Sequence, residues 1–332
     1  ARLVVFFLLV IACLQPGLIL AEGPVAPLLP RTGQISTYDN SGVKIDFKGT
    51  GQDGELQHGT EWPDPRFIVN SDGTVSDRLT GLMWLKDGEC FGEISWSYSS
   101  LKLTDFNSGQ IKCDDYTANY TDWFVPQVNE LASLFNAEEI DNSLYLQLHG
   151  LSDVQPREYW SATEHLNVQN AWTVHLATGD IAVRNKLAKT FLLPVRVYNV
   201  EGFQKFVGVN SAMASATNNP QTSESAPGDR FVDNLDGTVT DTKTDLMWLK
   251  DASCFQNLDW TSSYAAVRSL NEAATVIQCR QYLNTYRDWT VPNAVELWSL
   301  IDQRFDYPAL ADSRFIGLQS DYWSSTTAPS VT

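Results

Sequence analysis

Two short acidic stretches carry the oxygen donors that a calcium ion prefers. The donors are Asn70, Asp72 and Asp77 around DGTVSDRLTGLMWLKD, and Asp233, Asn234, Asp236 and Asp241 around DGTVTDTKTDLMWLKD. Their spacing resembles the start of a calcium loop, but the bidentate glutamate at its twelfth position is missing. Asp-Gly between two β-prone segments is also the strongest short signal for a hairpin turn, because glycine tolerates a positive φ. The sequence therefore predicts two turns, and two calcium sites are the alternative.

Two glutamates and two tryptophans at matched positions are the other candidates for catalysis or ligand binding. Glu130 and Glu296 lie in the motif DWxVPxxxEL, where a helix is expected to begin near the proline. A glutamate can act as a general acid, but one without a partner more often caps backbone amides or pairs with an arginine. Trp160 and Trp323 in the motif YWS could stack on a sugar ring, although their strand-like neighbours favour core packing. We expect structural roles for all four, with ligand binding as the alternative.

Motifs of familiar catalytic and cofactor sites are missing from the sequence. It has no GxSxG, no P-loop and no GxGxxG that joins a predicted strand to a helix. The four histidines, His58, His149, His165 and His175, have no counterparts in the other half of the chain and no metal-ligand spacing. We therefore expect no catalytic residues and no cofactor.

The five cysteines divide into one near the N-terminus and two matched pairs. Cys90 and Cys113 follow the first acidic stretch, and Cys254 and Cys279 follow the second at nearly the same distance. An even number of cysteines at matched positions in an exported chain predicts one disulfide per pair. A zinc site is the alternative, which the lack of CxxC and of a nearby histidine disfavours.

Residues 1–21 have the pattern of a secretory signal peptide. Arg2 precedes an apolar run, a Pro-Gly breaker follows, and Ala21 is the small residue at the expected cleavage point. The run is too short for a comfortable membrane span. VIAC, ending at Cys13, resembles a lipoprotein box, so lipid attachment there is the alternative to cleavage after Ala21. We predict an exported protein of a bacterial cell surface, periplasm or extracellular space.

The charge and composition narrow the classes of partner. The chain has 332 residues, of which 43% are hydrophobic and 11% aromatic, and this is a globular composition. Its formal net charge is −17, which disfavours nucleic acid, anionic lipid and sulfated polymers as partners.

The two halves of the chain repeat the same motifs in the same order, which predicts a duplicated domain rather than a solenoid. The predicted units are a lead-in over 22–65, a first domain over 66–200, a linker over 201–229 and a second domain over 230–332. The lead-in should form a small hairpin cap on the first domain. The linker, rich in Ser, Asn, Ala, Thr and Pro, should be a flexible tether between independent domains. The second domain stops after YWSST and lacks a counterpart of Ala171–Val197, so we expect it to be incomplete and less stable.

The ordered motifs RFxxNxDGTVxDxxTxLMWLKD, DWxVPxxxELxSL, YWSxT and AWxVxLxTGD with a terminal PVRV resemble the Lcl C-terminal domain family, named after the C-terminal domain of the Legionella collagen-like adhesin. The resemblance implies an α+β, C-type-lectin-like fold with mixed short antiparallel strands and one or two helices per domain, in two copies. It also implies a bacterial surface or secreted role, with adhesion to glycans. This chain has no collagen-like repeat, and its negative charge separates it from a binder of sulfated glycosaminoglycans.

The leading functional hypothesis is a non-catalytic recognition module that binds a glycan or a cell-surface protein through tandem domains. Duplication would raise avidity when each single site binds weakly. One alternative is an enzyme on the distantly related scaffold of the formylglycine-generating enzyme, which would need a reactive pair of cysteines. The other is an envelope structural protein without a ligand.

Overall fold

A computed structural model of the chain describes residues 29–207, 230–255, 257–272, 279–283, 286–302, 310, 312 and 314–328. The predicted signal peptide, with Cys13 and Ala21, and most of the predicted linker lie outside these residues. Among the described residues, none of the helices combines the length and apolar character needed to cross a bilayer.

The first part of the chain alternates short strands with short helices. Its elements are, in order, β1 (Thr37–Tyr38), β2 (Lys44–Ile45), α1 (Asp53–Leu56), β3 (Phe67–Val69), β4 (Thr74–Asp77), β5 (Leu82–Leu85), β6 (Ile94–Ser95), α2 (Trp96–Asn107), α3 (Val128–Ala132), α4 (Asn142–Leu148), β7 (Glu158–Glu164), β8 (Asn170–His175), β9 (Ile181–Asn185), β10 (Lys189–Thr190), β11 (Val195–Val197) and α5 (Val200–Val207). Those of the second part are β12 (Phe231–Asp233), β13 (Thr238–Asp241), β14 (Leu246–Leu249), α6 (Trp260–Glu272) and α7 (Ala294–Ser299). Small antiparallel sheets with a few helices make an α+β architecture, as predicted.

The central sheet of the first copy has the strand order β11-β5-β4-β3, and all its pairs are antiparallel. The predicted turn joins β3 to β4, and Gly73 in it has φ +82°. A Cβ at this position would lie 2.4 Å from the Asp115 carbonyl oxygen, so the turn needs glycine for space as well as for conformation.

Strand β5 is buried on both faces. Successive side chains of a strand point to opposite sides, so the strand contributes to two clusters. Leu82 and Trp84 belong to the main core cluster, whereas Met83 and Leu85 belong to a second cluster with α2 residues and Cys113. The hydrophobic run LMWL therefore forms the centre of the domain, as its lack of alternation indicates.

A second sheet, in the order β7-β8-β9, packs against α3. Helix α3 begins at Val128, two residues after Pro126, which confirms the helix expected in DWxVPxxxEL. Tyr159 and Trp160 belong to β7 of this sheet, and neither residue has any exposed surface.

The second copy repeats the register of the first. Phe231 pairs with Asp241 and Val239 pairs with Trp248, as Phe67 pairs with Asp77 and Val75 with Trp84. Its sheet has the order β12-β13-β14, and within the described ranges no fourth strand flanks β14. The side chains of β14 are half-buried, whereas those of β5 are all buried.

The structure corrects the predicted start of the linker. Residues 201–207 form most of helix α5 rather than a tether. Phe203 packs against the main core, and the Asn199 carbonyl would lie 2.4 Å from a Cβ on Gly81. The glycine thus lets the chain after β11 approach the central sheet closely enough for this helix to dock.

The structure also corrects the prediction of independent domains. Trp298 of the second copy packs against the main core cluster of the first copy. Its indole Nε1 donates a hydrogen bond to Asn129 Oδ1 at 2.9 Å. Trp298 is half-buried, and an indole can bury its apolar ring while its N–H keeps a polar partner, which is why tryptophan suits such a contact.

Candidate functional site

Asp77 and Asp241, two of the calcium candidates, each form an ion pair with an arginine. Arg66 Nε and Nη2 donate to Asp77 Oδ1 and Oδ2 at 3.0 and 2.8 Å, and Nη2 also donates to the Ser133 carbonyl at 2.6 Å. Arg230 makes the same three bonds, to Asp241 at 2.9 and 2.7 Å and to the Ser299 carbonyl at 2.6 Å. Because Ser133 follows α3 and Ser299 is the last residue of α7, each ion pair ties a hairpin to a helix end.

Asp72 and Asp236, the aspartates of the two Asp-Gly turns, accept hydrogen bonds within their turns. Asp72 Oδ1 accepts a hydrogen bond from Thr74 Oγ1 at 2.6 Å, and Asp236 Oδ1 accepts from the Thr238 backbone N–H at 3.0 Å. Asp233 pairs with Lys250 at 2.7 Å. Within the described ranges, no three His, Cys, Asp or Glu side chains gather in a way that could hold a metal ion. The bonds are those of the predicted turns, and calcium binding stays the alternative, which a titration tests.

Glu130 closes the first turn of α3 from inside the core. Its Oε2 accepts a hydrogen bond from the Gln127 backbone N–H at 2.7 Å, and only 4% of the residue is exposed. Burial raises the pKa of Glu130 from 4.5 to about 7, since the ionised form is poorly solvated there. The sequence anticipated the cap, but it gave no sign of the burial.

Glu296 makes the same cap in α7 but has different neighbours. Its Oε2 accepts from the Asn293 N–H at 2.8 Å, and its Oε1 lies 3.7 Å from His58 Nδ1. Asp53 is close enough for its pKa to respond to Glu296. His58 and Asp53 belong to the lead-in, so tertiary structure supplies the partners that this glutamate lacks in sequence.

Asp53, His58, Glu296 and Thr326 form what we name the junction cluster, between the lead-in and the second copy. Asp53 is 2% exposed, and its Oδ2 accepts from Thr32 Oγ1 and Thr326 Oγ1, both at 2.6 Å. Burial raises the pKa of Asp53, with the two hydroxyl bonds acting in the opposite direction. The hydrogen bond with Glu296 raises the pKa of His58. The pair of His58 and Glu296 is therefore an ion pair only at a pH where the imidazole is protonated.

The lead-in bridges both copies, whereas the sequence predicted a cap on the first alone. Glu138 of the first copy accepts backbone N–H bonds from Ile35 and Ser36, each at 2.9 Å. Gln34 exchanges side-chain bonds with the Thr327 backbone of the second copy at 2.6 and 2.9 Å. Gln34 is 2% exposed, and a buried amide is costly unless it is hydrogen-bonded. Here both the Nε2 and the Oε1 atom have a partner.

Replacing Glu296 with glutamine is expected to lower the pKa of His58 toward its ordinary value of about 6.5. The amide keeps the cap on α7 but removes the negative charge that stabilises the imidazolium. A histidine whose pKa is raised by folding stabilises the native state fully below its unfolded pKa, and this contribution is lost as the pH rises through the folded pKa. The variant should therefore lose stability on the acidic side only.

NMR titration of the histidine ring protons measures this directly. The backbone amide resonances of the β4 and β5 strands in the first copy are the internal reference and should be the same in both proteins. An unchanged His58 titration in the variant would mean that the Glu296 carboxylate has no influence on it.

The matched tryptophans make the same hydrogen bond but differ in exposure. Trp160 Nε1 donates to the Ile94 carbonyl at 2.8 Å, and Trp323 Nε1 donates to the Leu258 carbonyl at 2.9 Å. Trp160 is wholly buried, whereas Trp323 is 55% exposed and its neighbour Tyr322 is 47% exposed. Of the two tryptophans, only Trp323 presents a ring face that a ligand can reach.

Both predicted disulfides are confirmed. Cys90 bonds to Cys113 with Cα atoms 5.4 Å apart, and Cys254 bonds to Cys279 with Cα atoms 5.0 Å apart. Cys113 is buried against Phe106 and Trp123 in the second core cluster, so the first bond anchors the segment after α2. Disulfides of this kind fit an exported protein.

Comparison with known proteins agrees with the internal repeat. No curated protein matches the chain. The family model of the Lcl C-terminal domain matches residues 73–196 and again residues 237–332, which together make up more than half of the chain. Each match begins at the glycine of the Asp-Gly turn, and the first ends within β11. The chain therefore belongs to the Lcl C-terminal domain family, with two copies of the domain.

Proposed function

We propose that this protein is a non-catalytic recognition module that binds extracellular glycans, and that its α+β architecture is a C-type-lectin-like fold. Membership of an adhesin-related family supports a role in adhesion. The observation that carries the proposal is the exposed aromatic pair Tyr322 and Trp323. Aromatic rings at a protein surface bind the apolar faces of sugars while the polar end of the side chain stays hydrogen-bonded, as Trp323 Nε1 is.

The charge of the chain selects among glycans. A net charge of −17 repels sulfated and other polyanionic sugars, so neutral or amino sugars are the expected ligands. Export to a bacterial surface or the extracellular space is part of the proposal, and the two disulfides support it. The contact of Trp298 with the first copy holds the two domains together, so a bound ligand would meet a fixed arrangement rather than a loose tether.

The enzyme alternative finds less support. Chemistry on the related oxidase-like scaffold needs reactive thiols, whereas Cys90, Cys113, Cys254 and Cys279 are all disulfide-bonded. The remaining alternative, an envelope protein without a ligand, is an outcome of the binding test.

A glycan array, followed by calorimetry on the hits, tests the proposal. Neutral glycans should bind the full chain, and Trp323→Ala should weaken the binding about tenfold, which corresponds to about 1.4 kcal/mol. Leu235→Ala is the matched control, because Leu235 is an exposed apolar residue elsewhere on the second copy. A blank array, or hits that Trp323→Ala leaves unchanged, would contradict the proposal. Capture of a cell-surface protein with a blank array would favour the protein-binding alternative.

A further inference from the structure

Two neighbouring turns at one end of the sheet β7-β8-β9 expose three large apolar side chains. Leu166 and Val168 lie in the turn between β7 and β8, and Leu187 lies in the turn between β9 and β10. Leu166 is 55% exposed, Val168 76% and Leu187 82%. The Lys186 N–H donates to the Gln169 carbonyl at 2.8 Å, so the two turns lie side by side. A single exposed leucine is ordinary, whereas three apolar residues on adjacent turns mark a contact surface, and we name these three the apolar tip.

An asparagine in each turn satisfies backbone groups close to the apolar tip. Asn167 accepts backbone N–H bonds at its carbonyl oxygen, at 2.8 Å, and at its Oδ1, at 3.1 Å. Asn185 does the same at 2.8 and 3.0 Å, and the second of these bonds comes from the Leu187 N–H. An unpaired backbone N–H is costly in an apolar medium, so these bonds lower the cost of moving the turns out of water.

The lysine beside the apolar tip is both paired and stacked. Lys186 Nζ lies 2.6 Å from Glu164 Oε2 and 4.0 Å from the centroid of the Trp96 ring. Trp96 Nε1 donates a hydrogen bond to the Ser161 carbonyl at 2.8 Å. Indole rings and lysines next to apolar side chains suit the headgroup level of a bilayer, where one end of the side chain is apolar and the other is wet. The ion pair adds no net charge, so a zwitterionic lipid surface matches it, whereas the net charge of −17 repels an anionic one.

We propose that the apolar tip inserts shallowly into a zwitterionic phospholipid surface. Its three side chains enter the boundary between headgroups and acyl chains, and Trp96 with the neighbouring ion pair stays at the headgroups. Because the three side chains project from turns rather than line a groove, they suit a fluid surface that deforms around them better than a strand or a helix of a partner protein. The tip belongs to the first copy, and this contact does not depend on the proposed glycan site in the second.

Sedimentation of the full chain with phosphatidylcholine vesicles is the test. A variant with serine at all three positions of the apolar tip should show a ratio of bound to free protein about tenfold below that of the wild type, because it loses the apolar area that enters the lipid. The matched control also replaces three exposed leucines with serine, but elsewhere in the chain, and it should bind as the wild type does: Leu144→Ser/Leu148→Ser/Leu235→Ser. Vesicles that also contain phosphatidylglycerol should bind the wild type more weakly at low ionic strength, since the net charge of the chain repels them.

Hydrogen exchange with mass spectrometry locates the contact. Vesicles should slow exchange in peptides that cover residues 165–170 and 185–188, and the two Asp-Gly hairpins should be unchanged as the internal reference. Three outcomes overturn the proposal. The first is no vesicle binding by wild-type protein whose two disulfides are intact. The second is equal binding by the serine variant and its control without slower exchange in the two turns, since the contact then lies elsewhere in the chain. The third is a dimer that the serine variant abolishes and that vesicles leave intact, because the tip would then meet a second copy of the chain.

Discussion

Asp77→Ala is expected to destabilise the first copy by about 3–5 kcal/mol, the usual cost of leaving one member of a buried ion pair without its partner. Asp77 has no exposed surface, and the Arg66 side chain is 3% exposed. The carboxylate also accepts hydrogen bonds from the Leu79 N–H at 3.0 Å and from Thr80 Oγ1 at 2.9 Å. Its removal would strand the guanidinium and the donors that cap the turn before β5. Hydrogen exchange with mass spectrometry, read on β4 and β13 peptides, assigns the loss to one copy.

The second copy supplies the matched control. Asp241→Ala removes the same interaction, but the Arg230 side chain is 23% exposed, so water can solvate the arginine that is left behind. We expect a smaller loss, confined to the second copy. If Asp77→Ala prevents folding, Asp77→Asn tests the charge alone, because its amide oxygen can still accept a hydrogen bond from the Leu79 N–H, and it should fold with a smaller loss of stability. Equal losses in the two copies would show that burial does not determine the strength of this pair.

Glu130→Gln is expected to stabilise the first copy by about 3 kcal/mol at pH 8 and to leave its stability at pH 4 unchanged. Burial raises the pKa of Glu130 from 4.5 to about 7. Between these values the native state keeps a proton that the unfolded state has lost, so the native stability falls as the pH rises. Above pH 7 the buried carboxylate is ionised in the wild-type protein. The amide is neutral at every pH, and its oxygen can still accept the Gln127 N–H.

Urea denaturation at pH 4 and pH 8 measures the difference between variant and wild type, which cancels the titration of other groups. Glu130→Ala is the control for the cap, and it should be destabilised at both pH values because it leaves the Gln127 N–H without its acceptor. A difference between Glu130→Gln and wild type that is the same at both pH values would contradict the raised pKa.

The local features of the fold were readable from the sequence. Asp72-Gly73 predicted the hairpin because few residues other than glycine tolerate φ +82°. The unbroken run LMWL predicted a strand buried on both faces, and the matched cysteines predicted both disulfides. Each signal depends on neighbouring residues or on the comparison of the two copies, and both are visible without a structure.

The connections between these units were not readable from the sequence. The composition of residues 201–229 indicated a flexible tether, but the first seven of these residues belong to helix α5. This helix can dock because Gly81, in the turn before β5, has no side chain in its way. The turn residues of the lead-in predict a hairpin, but they do not predict the surface on which this hairpin packs. Asp53 of the lead-in contacts Thr326, which is 273 positions away, and Gln34 contacts Thr327, which is 293 positions away.

The sequence by itself determined the duplicated, disulfide-closed scaffold and the family to which the chain belongs. Tertiary structure alone decided what matched residues do. Trp160 is a wholly buried residue of β7, paired with β8, whereas Trp323 is exposed to solvent. Glu130 is sealed in the core, and Glu296 meets His58 across the junction with the lead-in. Identical motifs fix the same backbone and the same short-range bonds, whereas burial, pKa and access depend on segments distant in sequence that pack against them.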